Sequence, residues 1–412
     1  LTPSTSQPRF TKRWRFRRLK SVKKPLIARE PRLCLGSLFS KDFALISAFS
    51  LTLGYRHHII SKEMPGLGPL LKSLFRSIGI PTLWAEPLRA IIVSVAILAL
   101  IMLVVMALLW LLRRFIAYMQ SRLGPNRVGP EGLLQPVADA TKLLIKEDVT
   151  PAAADKVMFS VAPVLIFLPA FLIYLVIPFG KGMVAKDFNI GLVFALAVGG
   201  ITCIAIILAG WASNNKYSIL GGMRSAAQLI AYEVPMVFSL LGVVMLAGTF
   251  RMGGIVEAQS GGFWGVIPRW FVFYQPLGFL VFFICALAEL GHLPFDLPEG
   301  ESELVAGYSV EYSGMRFALF YLSEFSNAFA LSAIAVTLFF GGWKPPLAFI
   351  PDWYILSPFW FILKVGIMVL FLMWLRASIV RVRIDQVLSL GWKVLLPVAV
   401  FNLLLTGGLM LV

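Results

Sequence analysis

Glu289, Asp296, Glu299, Glu301, Glu303 and Glu311 fall inside one short stretch, "AELGHLPFDLPEGESELVAGYSVEYSG" at 288–314, in a chain with only 21 acidic residues and a net charge of +16. The stretch begins where an uncharged run, 271–288, comes to its end. Glu299, Glu301 and Glu303 alternate along a segment broken by Pro294, Pro298 and Gly300, which reads as irregular backbone. At membrane depth such backbone is tolerated only against protein or a water-filled cavity. Carboxylates this close cannot all ionise, because mutual repulsion and desolvation raise some of their pKa values. The cluster can therefore load and release protons near neutral pH, unless basic residues of a partner neutralise it. Three further charges interrupt apolar runs: Glu233 beside Tyr232 in "IAYEVPM", Glu324 in "YLSEF", and Lys364. A charge at the bilayer centre costs about 2.5–3.5 kcal/mol on insertion scales, so such residues face inward and are functional by default. The plainer alternative is a group that snorkels from a helix end or is paired. Glu233, near the start of its run, could reach headgroups; Lys364, deep in its run, is harder to excuse.

The elements that must hold these groups are membrane helices. Hydrophobic residues make up 58% of the 412 and charged residues 14%, against about 25% charged in a soluble domain. Eight apolar segments are long enough to cross, at about 90–112, 159–180, 189–213, 228–250, 271–289, 315–341, 353–375 and 390–412. Continuous apolar runs span as helices, which satisfy their own backbone. The expected fold is thus all-α and polytopic, with a basic N-terminal extension over 1–86 and an eight-helix membrane domain over 87–412.

Residues 1–40 hold eleven Lys or Arg against Glu30, a composition like that of a mitochondrial targeting segment, with a basic tail as the plainer reading. Within the extension, 43–55 is apolar but too short to span and is read as interfacial. The loops after spans one, three, five and seven are the basic ones, which predicts that they share the inner side of the membrane with the acidic stretch. In the first of these loops Gln135, Asp139, Lys142 and Lys146 recur at helical spacing opposite Leu133, Val137 and Leu144, an amphipathic surface helix over 131–149. Before it, "RLGPNRVGP" at 122–130 reads as a rigid turn that points two arginines in a fixed direction, or, as composition alone favours, as a solvated connector. Cys34, Cys203 and Cys285, and His57, His58 and His292, show no metal-ligand spacing, and no phosphate-binding glycine loop is present. Neither a metal nor a bound nucleotide is implied, and a nucleic-acid arm does not suit so apolar a chain.

Three long motifs, "AYMQSRLGPNRVGPEGLLQPVADATKLLIKE", "NNKYSILGGMRSAAQLIAYEVPM" and the acidic stretch extended through "MRFALFYLSEF", closely resemble subunit 1 of respiratory complex I and its bacterial counterparts. The resemblance covers roughly 88–412. It implies a core membrane subunit of a proton-pumping NADH:ubiquinone oxidoreductase in the mitochondrial inner membrane, or alternatively the bacterial plasma membrane. The substrate would be ubiquinone. NADH, FMN and iron–sulfur clusters would reside in partner subunits, among them the peripheral-arm subunits with the terminal cluster, beside small membrane-arm subunits and lipid. It further implies a quinone path along Arg113, Arg122, Asp139, Lys142, Arg224, His292 and Phe317. A proton relay would run through Asp296, Glu299, Glu301 and Glu303 into Glu289, Tyr232, Glu233 and Glu324. Two positions depart from the family pattern. His292, a titratable group, stands where an arginine is usual, and Leu112 where an acid usually precedes the two basic residues. Two other readings stay open, a proton-coupled secondary transporter, although no internal repeat is seen, and the related membrane subunit of proton-pumping hydrogenases, which uses no quinone.

Overall fold

The computed structural model describes residues 82–411 apart from 264–266, 299 and 347–352. The N-terminal readings over 1–81, including the interfacial segment at 43–55 and Cys34, lie outside the described residues. Among the described residues, seven helices are long and apolar enough to cross a membrane: α1 (Thr82–Met119), α3 (Lys156–Ile173), α4 (Gly191–Ala212), α5 (Lys216–Ala247), α10 (Gly314–Phe339), α11 (Ser357–Ser378) and α12 (Ile384–Leu411). Between α1 and α3 lies a surface helix, α2 (Gln135–Ile145). After α5 come α6 (Met252–Ala258), a two-residue antiparallel pairing of Gly262–Phe263 with Ile267–Pro268, α7 (Phe271–Tyr274), the short apolar α8 (Pro276–Glu289) and α9 (Glu301–Leu304). The architecture is the all-helical, polytopic one that the apolar runs predict.

Local chemistry sets the helix ends. The Asp155 carboxylate caps α3 by accepting from the amides of Val157 and Met158, and Asn215 caps α5 through the amide of Tyr217. At the other end of α5, Gly248 takes the left-handed conformation at φ 67° that closes a helix. α12 contains a π-helical turn over Leu390–Leu395, which widens the coil locally.

α10 is the centre of the bundle, 83% buried in its apolar window against 22% for the outermost α1 and α12. α4 and α5 approach through small residues: a Cβ on Gly210 would lie 2.7 Å from the Ser218 carbonyl oxygen, and Gly222 faces Gly210. Close backbone packing of this kind holds membrane helices together where lipid supplies no hydrophobic drive.

One end of the bundle gathers the basic connections. There the Val382 amide donates to the Pro294 carbonyl at 3.0 Å, Arg316 pairs with Asp148 at 3.0 Å, and the Asn215 amide donates to Glu311 at 2.6 Å. The other end carries Arg251 paired with Asp187 and Lys344 donating to the Glu257 carbonyl. The loops that the charge pattern assigns to one side do cluster together.

Three expectations need correction. The fifth segment is not one helix over 271–289: the chain breaks at Gln275, where the following Pro276 disfavours helical geometry. α8 therefore has 14 residues, about 21 Å of helix, too short for some 30 Å of hydrocarbon, and it ends at Glu289 inside the bundle. Secondly, α5 starts at Lys216, so Glu233 lies mid-helix and not near the beginning of its span. Lys364 is the third, for its ammonium donates to the carbonyls of Phe340, Gly342 and Lys344 at 2.7, 3.1 and 2.7 Å and sits 5.0 Å above the Trp270 ring. It caps the turn that ends α10, where unpaired carbonyls and the helix dipole favour a cation.

Candidate functional site

Behind Glu289 the chain runs irregularly to Gly300, with His292, Phe295, Leu297 and Pro298 buried. The Gln228 amide from mid-α5 fixes this segment by donating to the carbonyls of Ala288 at 2.6 Å and Phe295 at 2.9 Å. Irregular backbone inside the membrane domain is thus packed against protein, as its composition requires.

The acids at membrane depth line two cavities. The first, about 20 Å3, is enclosed by apolar side chains of α3, α4, α5, α8 and α10 around Glu233 and Glu289. Gly199 and Gly200 of α4 make room for them: a Cβ on Gly200 would lie 3.1 Å from Glu233 Oε1, and one on Gly199 would lie 3.4 Å from Glu289 Oε1. The second, about 60 Å3, is lined by Glu289, Glu324, Gln228, Asn327, Thr202 and Ser225. Its volume admits about four waters and its wall offers them polar partners. Glu289 belongs to both cavities, and its Oε2 is buried without a protein partner.

Glu324, on α10, closes the second cavity towards the basic end. Arg376 Nη1 of α11 lies 3.3 Å from Glu324 Oε1 and 3.0 Å from His292 Nδ1. His292 Nδ1 is also 3.3 Å from Glu324 Oε1, a distance that suits an ion pair only if the imidazole is protonated. Burial first, and the Arg376 guanidinium second, hold His292 well below the usual histidine range, so it is neutral at pH 7. Nδ1 then accepts from Arg376, and the same nitrogen of Arg376 serves both acceptors. The imidazole is thus neutral here, as an arginine at this position could not be. Leu112 and His292 line one further cavity with Arg376.

Nearer the surface, Glu303 pairs with Arg224 at 2.5 Å and with Arg381 at 3.6 Å. The hydrogen bond from Arg224 and the charge of Arg381 hold its carboxyl below the usual range. Cations of this chain, rather than of a partner, thus neutralise this member of the cluster. Asp296 is close enough to act on Glu324 electrostatically. Glu299 and the Glu301 side chain lie outside the described residues. Tyr232 does not line either acid cavity; its hydroxyl donates to the Val387 carbonyl at 2.9 Å.

A separate cleft of about 430 Å3 opens at the basic end, lined by Leu112, Arg113, Ile116, Arg122 and Leu123 with the Gly124–Pro125 turn. Arg113 is paired with Asp139 of α2, and Arg114 with Glu131 at 2.6 Å. The turn before α2 is tight: Gly132, at φ 72°, is so close to the Pro125 carbonyl that a Cβ would overlap it. α2 is shorter than its apolar pattern suggested; Val137, Leu144 and Ile145 on its apolar face are exposed, as is Leu133 just before it. Lys142 is exposed on α2, whereas Arg224 lies with the acidic loop and Phe317 packs on Tyr321 of α10 at 5.1 Å. Neither Arg224 nor Phe317 borders this cleft.

Sequence reasoning missed Arg376 and Arg381, which it used only as orientation signals, and Gln228. Gln228 had a signal of its own, an amide one turn after Arg224 and five residues before Glu233 on the same helix. Among the described residues no group of acids, histidines and cysteines is arranged to hold a metal ion.

Similarity to known proteins extends over most of the chain. A family model described as NADH dehydrogenase matches residues 92–407. The H subunit of the NADH-quinone oxidoreductase of Brevibacillus brevis is 50% identical over 327 residues, 79% of this chain and 94% of its own length. The protein of that name from Dehalococcoides mccartyi is 52% identical over 304 residues, 74% of this chain and 82% of its own. That from Rubrobacter xylanophilus is 48% identical over 327 residues, covering 79% and 97%.

Proposed function

This chain belongs to the NADH dehydrogenase family, and on that premise we propose that it forms the membrane side of a quinone chamber and couples quinone reduction to proton movement. It is a multi-pass subunit of an oxidoreductase complex and no redox centre of its own enters the proposal. NADH, FMN and iron–sulfur clusters belong to partner subunits, and the terminal cluster would complete the chamber from the peripheral arm. The relatives are bacterial, which favours the plasma membrane of a bacterium over the mitochondrial inner membrane suggested by the basic extension.

The cleft at the basic end has the chemistry a quinone needs. Arg113 and Arg122 can polarise a carbonyl-bearing head, while Leu112, Ile116 and Leu123 suit an isoprenoid tail. Reduction by a partner's centre draws protons towards the head group and alters the local charge balance. Leu112 lines both that cleft and the small cavity of His292 and Arg376, which leads to Glu324, and Glu303 of α9 is tied to Arg224 and Arg381. From Glu324 a proton can pass by waters to Glu289 and on to Glu233, since Glu289 serves both cavities. That sharing of Glu289 is the observation on which the relay rests.

The transporter and hydrogenase readings fare less well, because the relatives are named as quinone oxidoreductase subunits. The direct test is to resolve mildly solubilised membranes on a native gel, locate this chain by mass spectrometry, and assay the same band. A large band with both NADH oxidation and inhibitor-sensitive quinone reduction is expected. If the chain runs alone and inactive, the transporter reading replaces this one.

A further inference from the structure

α1, α10, α11 and the segment after α8 enclose a cavity of about 20 Å3, lined by Leu112, His292, Phe325, Met373 and Arg376 among others. Its volume admits about one water, so it cannot hydrate an ion. A charge placed in it must be met by a charge of the protein. We propose that His292 and Leu112 act as a matched uncharged pair of positioning residues that commits the Arg376 guanidinium to Glu324. This inference rests on the relay reading, in which Glu324 passes protons on to Glu289.

The geometry carries it. Arg376 Nη1 has two acceptors, His292 Nδ1 at 3.0 Å and Glu324 Oε1 at 3.3 Å. A neutral imidazole accepts through Nδ1 and so aims the guanidinium at the carboxylate; an imidazolium could not accept and would repel it. The titratable groups that face His292 are Arg376 from α11 and Glu324 from α10, and Asp296 of its own segment acts on Glu324. α1 contributes Leu108 and Leu112 to the cavity and no titratable group. Burial and Arg376 keep the imidazole uncharged, and the aliphatic side chain at 112 leaves nothing to reverse that. A carboxylate at 112 would compete for Arg376 and favour the imidazolium. An arginine at 292 would set two guanidinium groups side by side. Introduced together, the two new charges satisfy each other and leave Arg376 with Glu324.

The test uses the assembled complex with Leu112→Glu, His292→Arg and the double variant, measuring quinone-reductase turnover against pH at equal complex content. His292→Arg alone should lose turnover about tenfold at every pH, because arginine does not titrate in this range. Leu112→Glu should gain an acidic limb, losing turnover as pH falls and His292 takes a proton. The double variant should lack that limb and recover to within about threefold of the parent. A merely structural role for His292 would not create a new acidic limb. A Leu112→Glu profile parallel to the parent's, or a double variant no better than the product of the singles, overturns the proposal. If a single variant fails to assemble, recovery of assembly in the double supports the pairing and continued failure refutes it. Glu324→Gln, measured alongside, separates the two levels: parental turnover in it sinks the relay reading itself, whereas its loss together with an unrecovered double variant sinks only the pairing.

Discussion

A charged side chain inside a membrane domain is informative only once its neighbours are known, and Lys364 and Glu324 show the two outcomes. Lys364 spends its charge on three carbonyls beyond the end of α10. Lys364→Met should therefore lower thermal stability of the solubilised complex by about 2 kcal/mol, the loss of charge-assisted hydrogen bonds, with turnover per intact complex unchanged; an inactive but fully stable variant would contradict this. Glu324 instead meets a cavity and a shared guanidinium. The sequence displays both simply as charges in apolar runs, because nothing in the local pattern says what lies across the bundle. Arg376 was hidden for the same reason, reading as an ordinary basic residue after a span.

Glu303 gives a pH prediction at the same scale. Its carboxyl is held below the usual range, so its contribution to the native state is present above that range and is lost as pH falls through it. Between pH 8 and 6 the pairing with Arg224 and Arg381 should not change. Glu303→Gln should raise amide hydrogen exchange over 300–311 equally at both pH values. Protection in the parent that already falls at pH 6 would argue against the pairing.

Among the elements, α8 and the α5 contact with the acidic stretch matter most. The apolar runs locate the seven spanning helices and the short α8, since hydropathy alone sets where a helix can cross. They do not give the break at Gln275 or the early start of α5, because Lys216 and Arg224 dilute a helix whose first turns project from the apolar zone. Misplacing that start put Glu233 near a surface it does not approach. A Cβ on Gly221 would lie 2.7 Å from the Gly307 backbone, so small residues press α5 against the loop that follows Glu303. Gly221→Ala should push that loop away, costing about 1–3 kcal/mol of stability and lowering quinone-coupled turnover more than NADH oxidation with an acceptor that bypasses the quinone. Equal losses in both assays would mean general misfolding.

For the whole molecule, the family match over 92–407 begins after the basic extension. Deleting residues 1–80 should accordingly reduce assembly or stability while leaving quinone affinity and turnover per complex intact; an assembled enzyme with altered quinone affinity would contradict that. The motifs made the family, the acids and the arginines of the cleft legible in sequence. The cavities were not legible, because they arise where Gly199, Gly200, Gln228 and Asn327 from separate helices converge.

The central claim is that Glu289 joins the two acid cavities and carries protons between them. The most direct measurement is NADH-driven proton uptake in vesicles reconstituted with the complex carrying Glu289→Gln, at parental complex content. Quinone reduction and proton movement should fall together by about tenfold or more, the usual scale for removing a proton-transferring group. Parental pumping and turnover in that variant would contradict the account.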